Sequence, residues 1–566
     1  MQTKMRVGAK LSVIALLGLV SLAVGDGEEA TVVQTSKGRL RGTTMTSRNG
    51  REFYAFRGVR YALPPVGELR FKPPVAVSEK WNSIKNATED GASCPQAYDF
   101  LTGSFSEDCL FLNVYTPQLP SQRSDAALPV IVWFHHGGWF MLSAQSTLAG
   151  PTYLLDEDIV LVAVNYRLGA LGFLSTGDSV VPGNNGLKDQ VAALEWVRDN
   201  IAHFGGDPNM VTIYGYSAGS ASVQFHLVSP LSAGLFHRAV SSSGSALSRW
   251  ALGSNAKATA RRHAKILNCP SDDNSKTMID CLRRKDANDI AKTYALLKEW
   301  AEEPVVVYPP VIEPEGSSDR PFLTADPLLL FQSGNFSQVP WMTGSTDNES
   351  MVAAYEILQN QTLLEDFNEN FERIMPIILN FERDSPEALR KGQRIKEFYF
   401  GNKPITQDSL QALTDMYTES SFQYPVDRSV KLVSKVSSAP VYLYQFTYRG
   451  RYGHMPKLPG QDRPYGAVHH DDLIYIFYGQ GEYFPFFSSE FPEFVVSQRL
   501  VKMLANFART GNPIPAKDSL LQVTWQPLTP SNLAYMEIGA ELKMKRSLRQ
   551  DRVAFWDEIF SVNNSH

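Results

Sequence analysis

Val211-Thr212-Ile213-Tyr214-Gly215-Tyr216-Ser217-Ala218-Gly219-Ser220 is an apolar strand that runs directly into G-x-S-x-G and then into helix-compatible sequence. A serine on a sharp strand-to-helix turn is pushed out beyond the end of a sheet. Glycines are needed on both sides because a side chain there would collide with neighbouring backbone. Ser217 is therefore the candidate nucleophile. A hydroxyl alone is a poor one, so the turn calls for a histidine base and a carboxylate to hold the tautomer of that base. A plain Gly/Ser turn matches the same five residues; the strand before and the helix after them favour the nucleophile.

The segments around this turn set the fold class. Residues 187–204 have helical spacing, with Val191, Leu194, Trp196, Val197 and Ile201 near one face, and Gly205-Gly206-Asp207-Pro208 stops the helix. Residues 128–134 and 159–165 are apolar runs without strict alternation, as in strands covered on both faces of a parallel sheet. Residues 110–115 read as a further strand. Residues 30–41 and 52–61 alternate apolar and polar side chains and predict an antiparallel opening sheet. From about residue 247 to 304 the pattern is helix-rich, and strand signals return at 339–344 and 441–448. Strand, helix, strand, serine turn and helix in this order indicate an α/β architecture. No linker divides residues 26–566, which read as one domain. Residues 549–560 form an amphipathic helix with Val553, Phe555, Trp556 and Ile559 on its apolar side, expected to pack on its own domain; monomer and homodimer both remain open.

Of the 566 residues, 43% are hydrophobic and 20% charged, enough for a large core, and a net charge of -5 without any Lys/Arg block argues against a nucleic-acid partner. Residues 1–25 read as a secretory signal. Lys4, Arg6 and Lys10 precede an apolar run that ends in Ala23-Val24-Gly25, too short to be a stable membrane anchor. No later run reaches about 18 apolar residues, and the last six residues carry neither a retention signal nor an anchor tail. A secreted, extracellular protein is expected. Four cysteines in an oxidising compartment suggest two disulfides; of three possible pairings, Cys94 with Cys109 and Cys269 with Cys281 is the simplest. Asn86, Asn335, Asn360 and Asn563 begin glycosylation sequons, as does Asn348.

Ten histidines compete to be the base. His203, His237 and His263 lie in helical context and read as surface or satisfied residues. Gly466-Ala467-Val468-His469-His470-Asp471-Asp472-Leu473 is a glycine-led loop, which suits a side chain that reaches across the top of a sheet, yet spacing does not separate His469 from His470. For a nucleophile on such a turn the acid falls between serine and histidine in the chain. Glu349, in a polar loop after a strand end, is the candidate, with Asp347 as its competitor. An oxyanion needs backbone N–H donors, and Gly137 and Gly138, directly after the strand 128–134, are placed to supply them with the amide of Ala218. Adjacent His135 and His136 point in different directions and have no further ligand cluster near them in sequence, so neither metal nor cofactor is expected.

Taken together, these residues resemble the type-B carboxylesterase and cholinesterase family, most closely its secreted insect members of the venom and juvenile-hormone-esterase-like groups. The resemblance covers essentially the whole mature chain. Its markers are Ser106-Glu107-Asp108-Cys109-Leu110-Phe111-Leu112-Asn113-Val114, the Gly137-Gly138 loop, Asn165-Tyr166-Arg167-Leu168-Gly169, Asp189-Gln190, the turn at Ser217 and the loop from Gly466 to Leu473. It implies an α/β-hydrolase fold, with a large, mostly parallel central sheet flanked by helices and carrying helical insertions. It also implies His469 as base, Glu349 as triad acid, Trp250 in the acyl pocket with Tyr216 bordering the substrate site, Ser243 near the histidine, and the two local disulfides. Asn348 would then lie beside a buried carboxylate and stay unglycosylated.

Three departures stand out. Tyr216 replaces the glutamate that many members place before the nucleophile. His136 replaces the first glycine of H-G-G-G. The Cys94 to Cys109 loop lacks the tryptophan with which cholinesterases hold a quaternary ammonium. The implied activity is hydrolysis of uncharged aliphatic or aromatic esters through an acyl-enzyme, with organophosphates and carbamates as inhibitors. Hydrolysis of juvenile hormone is less expected, because that subgroup usually has Gln at the position of Tyr216. Two alternatives are a catalytically silent adhesion protein of the neuroligin or glutactin kind, which the intact triad disfavours, and a lipase-like esterase with the aromatic stretch 475–487 at its mouth.

Overall fold

The apolar runs at 128–134 and 159–165 become strands in which every residue is buried. A computed structural model describes residues 31–98, 105–120, 127–383, 385–401, 403–455, 466–479 and 485–560; the signal at 1–25 and the sequon at Asn563 lie outside them. Numbered along the chain, the strands are β1 (Val32–Gln34), β2 (Arg39–Arg41), β3 (Thr43–Thr46), β4 (Glu52–Arg60), β5 (Lys85–Asn86), β6 (Phe111–Thr116) and β7 (Leu128–Phe134). They continue as β8 (Val160–Val164), β9 (Gly206–Tyr216), β10 (Arg238–Ser242), β11 (Trp341–Thr346), β12 (Val441–Phe446), β13 (Ala534–Ile538) and β14 (Leu542–Arg546).

Eleven of these form one sheet in the order β14-β13-β12-β11-β10-β9-β7-β8-β6-β4-β3. From β8 to β13 every neighbour is parallel, and antiparallel strands close both ends. Helices cover both faces, and the period of two is visible in the core. Val130, Val132 and Phe134 of β7 join one apolar cluster, while Ile131 and Trp133 join the other. A strand buried on both sides has no polar face to alternate with, which is why the sequence shows an unbroken apolar run. The opening segments differ from expectation. β2 pairs with β1 on one side and β5 on the other in a separate three-stranded sheet, whereas β4 joins the large sheet between β3 and β6. Alternation marked both as half-buried strands but carried no information about their partners.

The predicted helix after β8 spans Asn185–Asn200 and ends in a tight turn at Ile201–Phe204, stopped by Gly205 at φ 82°. Helical insertions follow β10, at Ala256–Ile266, Ser275–Leu282 and Ala287–Lys292, and a larger set separates β11 from β12, beginning at Met351–Gln359 and ending at Tyr424–Val436. The final helix, Gln550–Phe560, buries Trp556, Ile559 and Phe560 among Phe367, Phe371 and Tyr424 of this second insertion. Cys94 is bonded to Cys109 and Cys269 to Cys281. Among the described residues no helix is long and apolar enough to cross a membrane.

Two polar motifs on the sheet's carboxyl side are explained by one buried ion pair. The Arg167 guanidinium, 3% exposed, grips the fully buried Asp189 carboxylate through Nε at 2.7 Å and Nη2 at 2.6 Å, and its Nη1 donates to the Lys72 carbonyl. Such a pair adds little net stability over apolar residues, but removing one partner strands a buried charge. Asp189→Ala is expected to destabilise the fold by about 3–5 kcal/mol, measured as a fall in the urea midpoint, with Arg167→Met/Asp189→Leu recovering most of it.

Candidate active site

Ser217 follows the last residue of β9 and precedes the helix Ala218–Val228, at φ 55° and ψ -118°. A residue with a Cβ in such a region costs about 1–3 kcal/mol and persists only where its surroundings impose it. Ser217 N–H donates to Ser242 O and its carbonyl accepts from Ala221 N–H. The flanking glycines are sterically required. A Cβ on Gly215 would lie 2.1 Å from Gly219 O, and one on Gly219 2.1 Å from Phe134 O. Gly244 is a third such position, since a Cβ there would lie 2.4 Å from Ser217 O.

Ser217 Oγ is 3.0 Å from His469 Nε2, and His469 Nδ1 is 2.5 Å from Glu349 Oε2. A carboxylate can only accept, so Nδ1 carries the proton and Nε2 is left free to accept from the serine. Glu349 has no exposed side-chain surface, and its other oxygen accepts from Thr346 N–H at 2.7 Å. Asp347 serves a different purpose: its Oδ1 accepts from Ala467 N–H at 2.7 Å. Asn348 N–H donates to Ala467 O and His469 N–H to Glu349 O, so segment 347–349 is laced directly to segment 467–469. Gly466 lets them meet, because a Cβ there would fall 1.8 Å from Asn348 Nδ2. Asn348 itself is buried. Asp471 closes the loop from the far side, accepting from Val468 N–H and from His454 N–H.

The Gly137-Gly138 loop leaves β7 with φ 103° at Gly137 and 59° at Gly138. Among the described residues the amides of Gly137, Gly138 and Ala218 have no acceptor within the protein, so all three N–H groups are free to bind an oxygen. The Asn165–Gly169 motif braces this loop. Tyr166 donates its hydroxyl proton to His135 O and stacks on the His135 ring, Asn165 Oδ1 accepts from Ala144 N–H, and Gly169 N–H donates to Trp139 O. Trp139 Nε1 donates to Ser222 on the helix that follows Ser217, which ties the Gly137-Gly138 loop to that helix.

The neighbouring histidines are held neutral. Burial pushes His135 down to about 4, and its Nδ1 lies 2.8 Å from the His136 carbonyl. His136 and His470, whose ring centroids are 4.4 Å apart, are both pushed well below the usual imidazole range, first by burial and then by nearby imidazoles, His135, His469 and His454 for the one and His469, His136 and His454 for the other. His203 is exposed. His263 is buried on its helix with Nδ1 2.6 Å from the Tyr308 hydroxyl, but His237 lies just before β10 rather than on a helix and accepts from Val211 N–H.

Trp250 stands 5.7 Å from Trp139 and 6.0 Å from Phe422, and Phe422 is 4.8 Å from the His469 ring, so aromatic surface runs up to the base. Phe422 had no local signal in sequence. Tyr216, expected to border the substrate site, has no exposed surface; its hydroxyl accepts from His470 N–H. Ser243 is buried with its Oγ unpartnered.

Comparison with known proteins came out consistently. Residues 29–556 match the model of the carboxylesterase family. The chain is 36% identical to juvenile hormone esterase of Tribolium castaneum over 94% of either chain, and 35% identical to venom carboxylesterase-6 of Apis mellifera over 97% of this chain and 98% of the relative. The crystal structure of juvenile hormone esterase from Manduca sexta with OTFP covalently attached superposes with a TM-score of 0.81 at 29% identity, covering 94% of this chain and 100% of that one.

Beneath the base, Asp472 is 3% exposed, with the Tyr444 hydroxyl 3.4 Å from its Oδ2. Burial, and after it the charge of Glu349, pushes its carboxyl up to about 7. Between the unfolded value of 3.8 and about 7 only the folded chain holds this proton, so the contribution of Asp472 to stability declines as pH rises through that window. Asp472→Asn, neutral throughout, is expected to gain about 2–4 kcal/mol on wild type between pH 4 and pH 8, measured as the difference in melting temperature of the two proteins at each pH.

Proposed function

The chain belongs to the carboxylesterase family and is a serine carboxylesterase, and from that premise we propose that Ser217, His469 and Glu349 carry the reaction while the amides of Gly137, Gly138 and Ala218 hold the oxyanion. The observation that supports this most is the 3.0 Å contact of Ser217 Oγ with His469 Nε2, backed at 2.5 Å by a carboxylate without exposed surface.

Ser217 Oγ attacks the ester carbonyl carbon as its proton passes to His469 Nε2, and Glu349 stabilises the imidazolium. The carbonyl oxygen takes the negative charge among the three amides. The carbon–alkoxy bond then breaks, His469 returns the proton to the departing alcohol, and the acyl group stays on Ser217. Water, deprotonated by His469, repeats the sequence and releases the acid. The rings of Trp250 and Phe422 offer apolar surface with no charge to pair, which suits uncharged aliphatic or aromatic acyl groups. Organophosphates and carbamates meet the same nucleophile and leave it modified.

Two disulfides fit an oxidising compartment, so export is part of the proposal, with glycans on the exposed Asn86, Asn335 and Asn360 and none on buried Asn348.

Purified protein is expected to hydrolyse p-nitrophenyl acetate and p-nitrophenyl butyrate. Ser217→Ala and His469→Ala should each lower kcat by about 10^4-fold or more, and Glu349→Gln by about 10^3- to 10^4-fold. An organophosphate should add one phosphoryl group per chain, on the peptide that holds Ser217. Turnover that survives Ser217→Ala, or a label on another residue, would overturn the assignment.

A further inference from the structure

One hydrogen bond joins the residue before the nucleophile to the residue after the base. Tyr216 OH accepts from His470 N–H at 2.9 Å, across 254 positions of sequence. The phenol ring also packs against both imidazoles of the loop, 5.2 Å from His469 and 5.1 Å from His470, and 6.1 Å from His136. His470 is itself in the left-handed region at φ 75°, which a residue with a Cβ keeps only where its neighbours hold it. Those neighbours include Tyr216 and His136 beside His454, so the two departures from the family pattern nearest the nucleophile meet at the same backbone kink.

Resting on the triad proposed above, we infer that Tyr216 is a positioning residue. Its hydroxyl fixes the backbone of the base relative to that of the nucleophile, and its ring forms the surface on which the His469 imidazole lies. Three observations support a role beyond filling space. The oxygen is fully buried on a strand whose position is set by the sheet, so it is a rigid anchor. Its partner is a backbone N–H one residue from the base, so a shift there moves the imidazole directly. Its own proton has acceptors to turn to, because Ser243 Oγ and Asp472 Oδ1, whose side chains both influence the phenol's titration, are buried without a hydrogen-bond partner. Triad contacts of 2.5 and 3.0 Å tolerate little drift, and misplacement of a reacting group by an ångström costs orders of magnitude in rate.

The test uses the full chain with p-nitrophenyl butyrate, with the concentration of working sites counted by organophosphate titration. Tyr216→Phe removes the hydroxyl alone. It is expected to lower kcat about tenfold with KM within about twofold, and to slow phosphorylation of Ser217 by the same factor, because both reactions need the same base in place. Tyr214→Phe removes a buried hydroxyl from the same strand that does not bond the histidine loop, and should leave both rates within about twofold. Should Tyr216→Phe fold poorly, Tyr216→Gln and Tyr216→Leu decide the matter: Gln keeps an acceptor and should retain several-fold more kcat per titrated site than Leu.

If Tyr216→Phe matches wild type in kcat and phosphorylation rate, or Gln does no better than Leu, the hydroxyl positions nothing and the inference is wrong. Lower melting temperature with unchanged kcat per titrated site would likewise reduce Tyr216 to packing. A wild type that neither turns over nor takes the label at Ser217 would instead remove the triad reading, and this inference with it.

Discussion

Ser217 occupies a backbone conformation that an L-residue keeps only when everything around it leaves no alternative, and most of the molecule near the active site contributes to that confinement. The sheet supplies the strand that delivers the serine, β10 takes its amide, and three glycines stand aside where any side chain would strike backbone. The reward for this strain is exposure of Oγ at the carboxyl edge of the sheet, where β7, β9 and β11 also end. In a doubly wound sheet that edge is where loops from different strands converge. The Gly137-Gly138 loop follows β7, Ser217 follows β9 and Glu349 follows β11, so the proposed chemistry is assembled from the ends of parallel strands rather than from one contiguous segment.

What holds those loops in register is mostly backbone. Segments 347–349 and 467–469 are joined by main-chain hydrogen bonds and by Asp347, so the acid and the base reach the serine as one unit. The donor loop is fixed from outside by the Asn165–Gly169 motif, which is rooted through Arg167 in the helix that carries Asp189. A charged pair buried this deeply is poor value as stabilisation, yet it pins a loop at one orientation, and that suits donors that must be aimed before the substrate arrives. Around the base, burial keeps His135, His136 and His470 neutral. An imidazolium formed at His469 in the proposed reaction therefore faces no competing positive charge from these three rings.

Much of this was legible beforehand, and the parts that were share a physical origin. The turn at Ser217, the glycine pair at 137 and 138, the unbroken apolar strands and the glycine-led histidine loop are local demands of sterics and burial, and local demands leave marks in local sequence. Asp347 against Glu349 and His469 against His470 were different: both candidates sit in the same loop with the same chemistry, and resemblance to a family, not spacing, favoured one. In the structure the members of each pair take different partners. Asp347 turns to a backbone amide and Glu349 to the ring; His470 turns to His136 and His469 to the serine.

By itself the sequence determined the α/β architecture, the strained serine turn, the glycine pair after β7 and the short list of candidate acids and bases, because each is a consequence of what neighbouring residues can sterically and chemically do. Only the tertiary structure decided which strand each opening segment pairs with, that Phe422 reaches the base, and that Tyr216 spends its hydroxyl on the amide of His470 rather than on the substrate side. Those contacts join residues as much as 254 positions apart. Nothing in the period or composition of either segment encodes its partner; that information exists only once the sheet has brought the ends of its strands together.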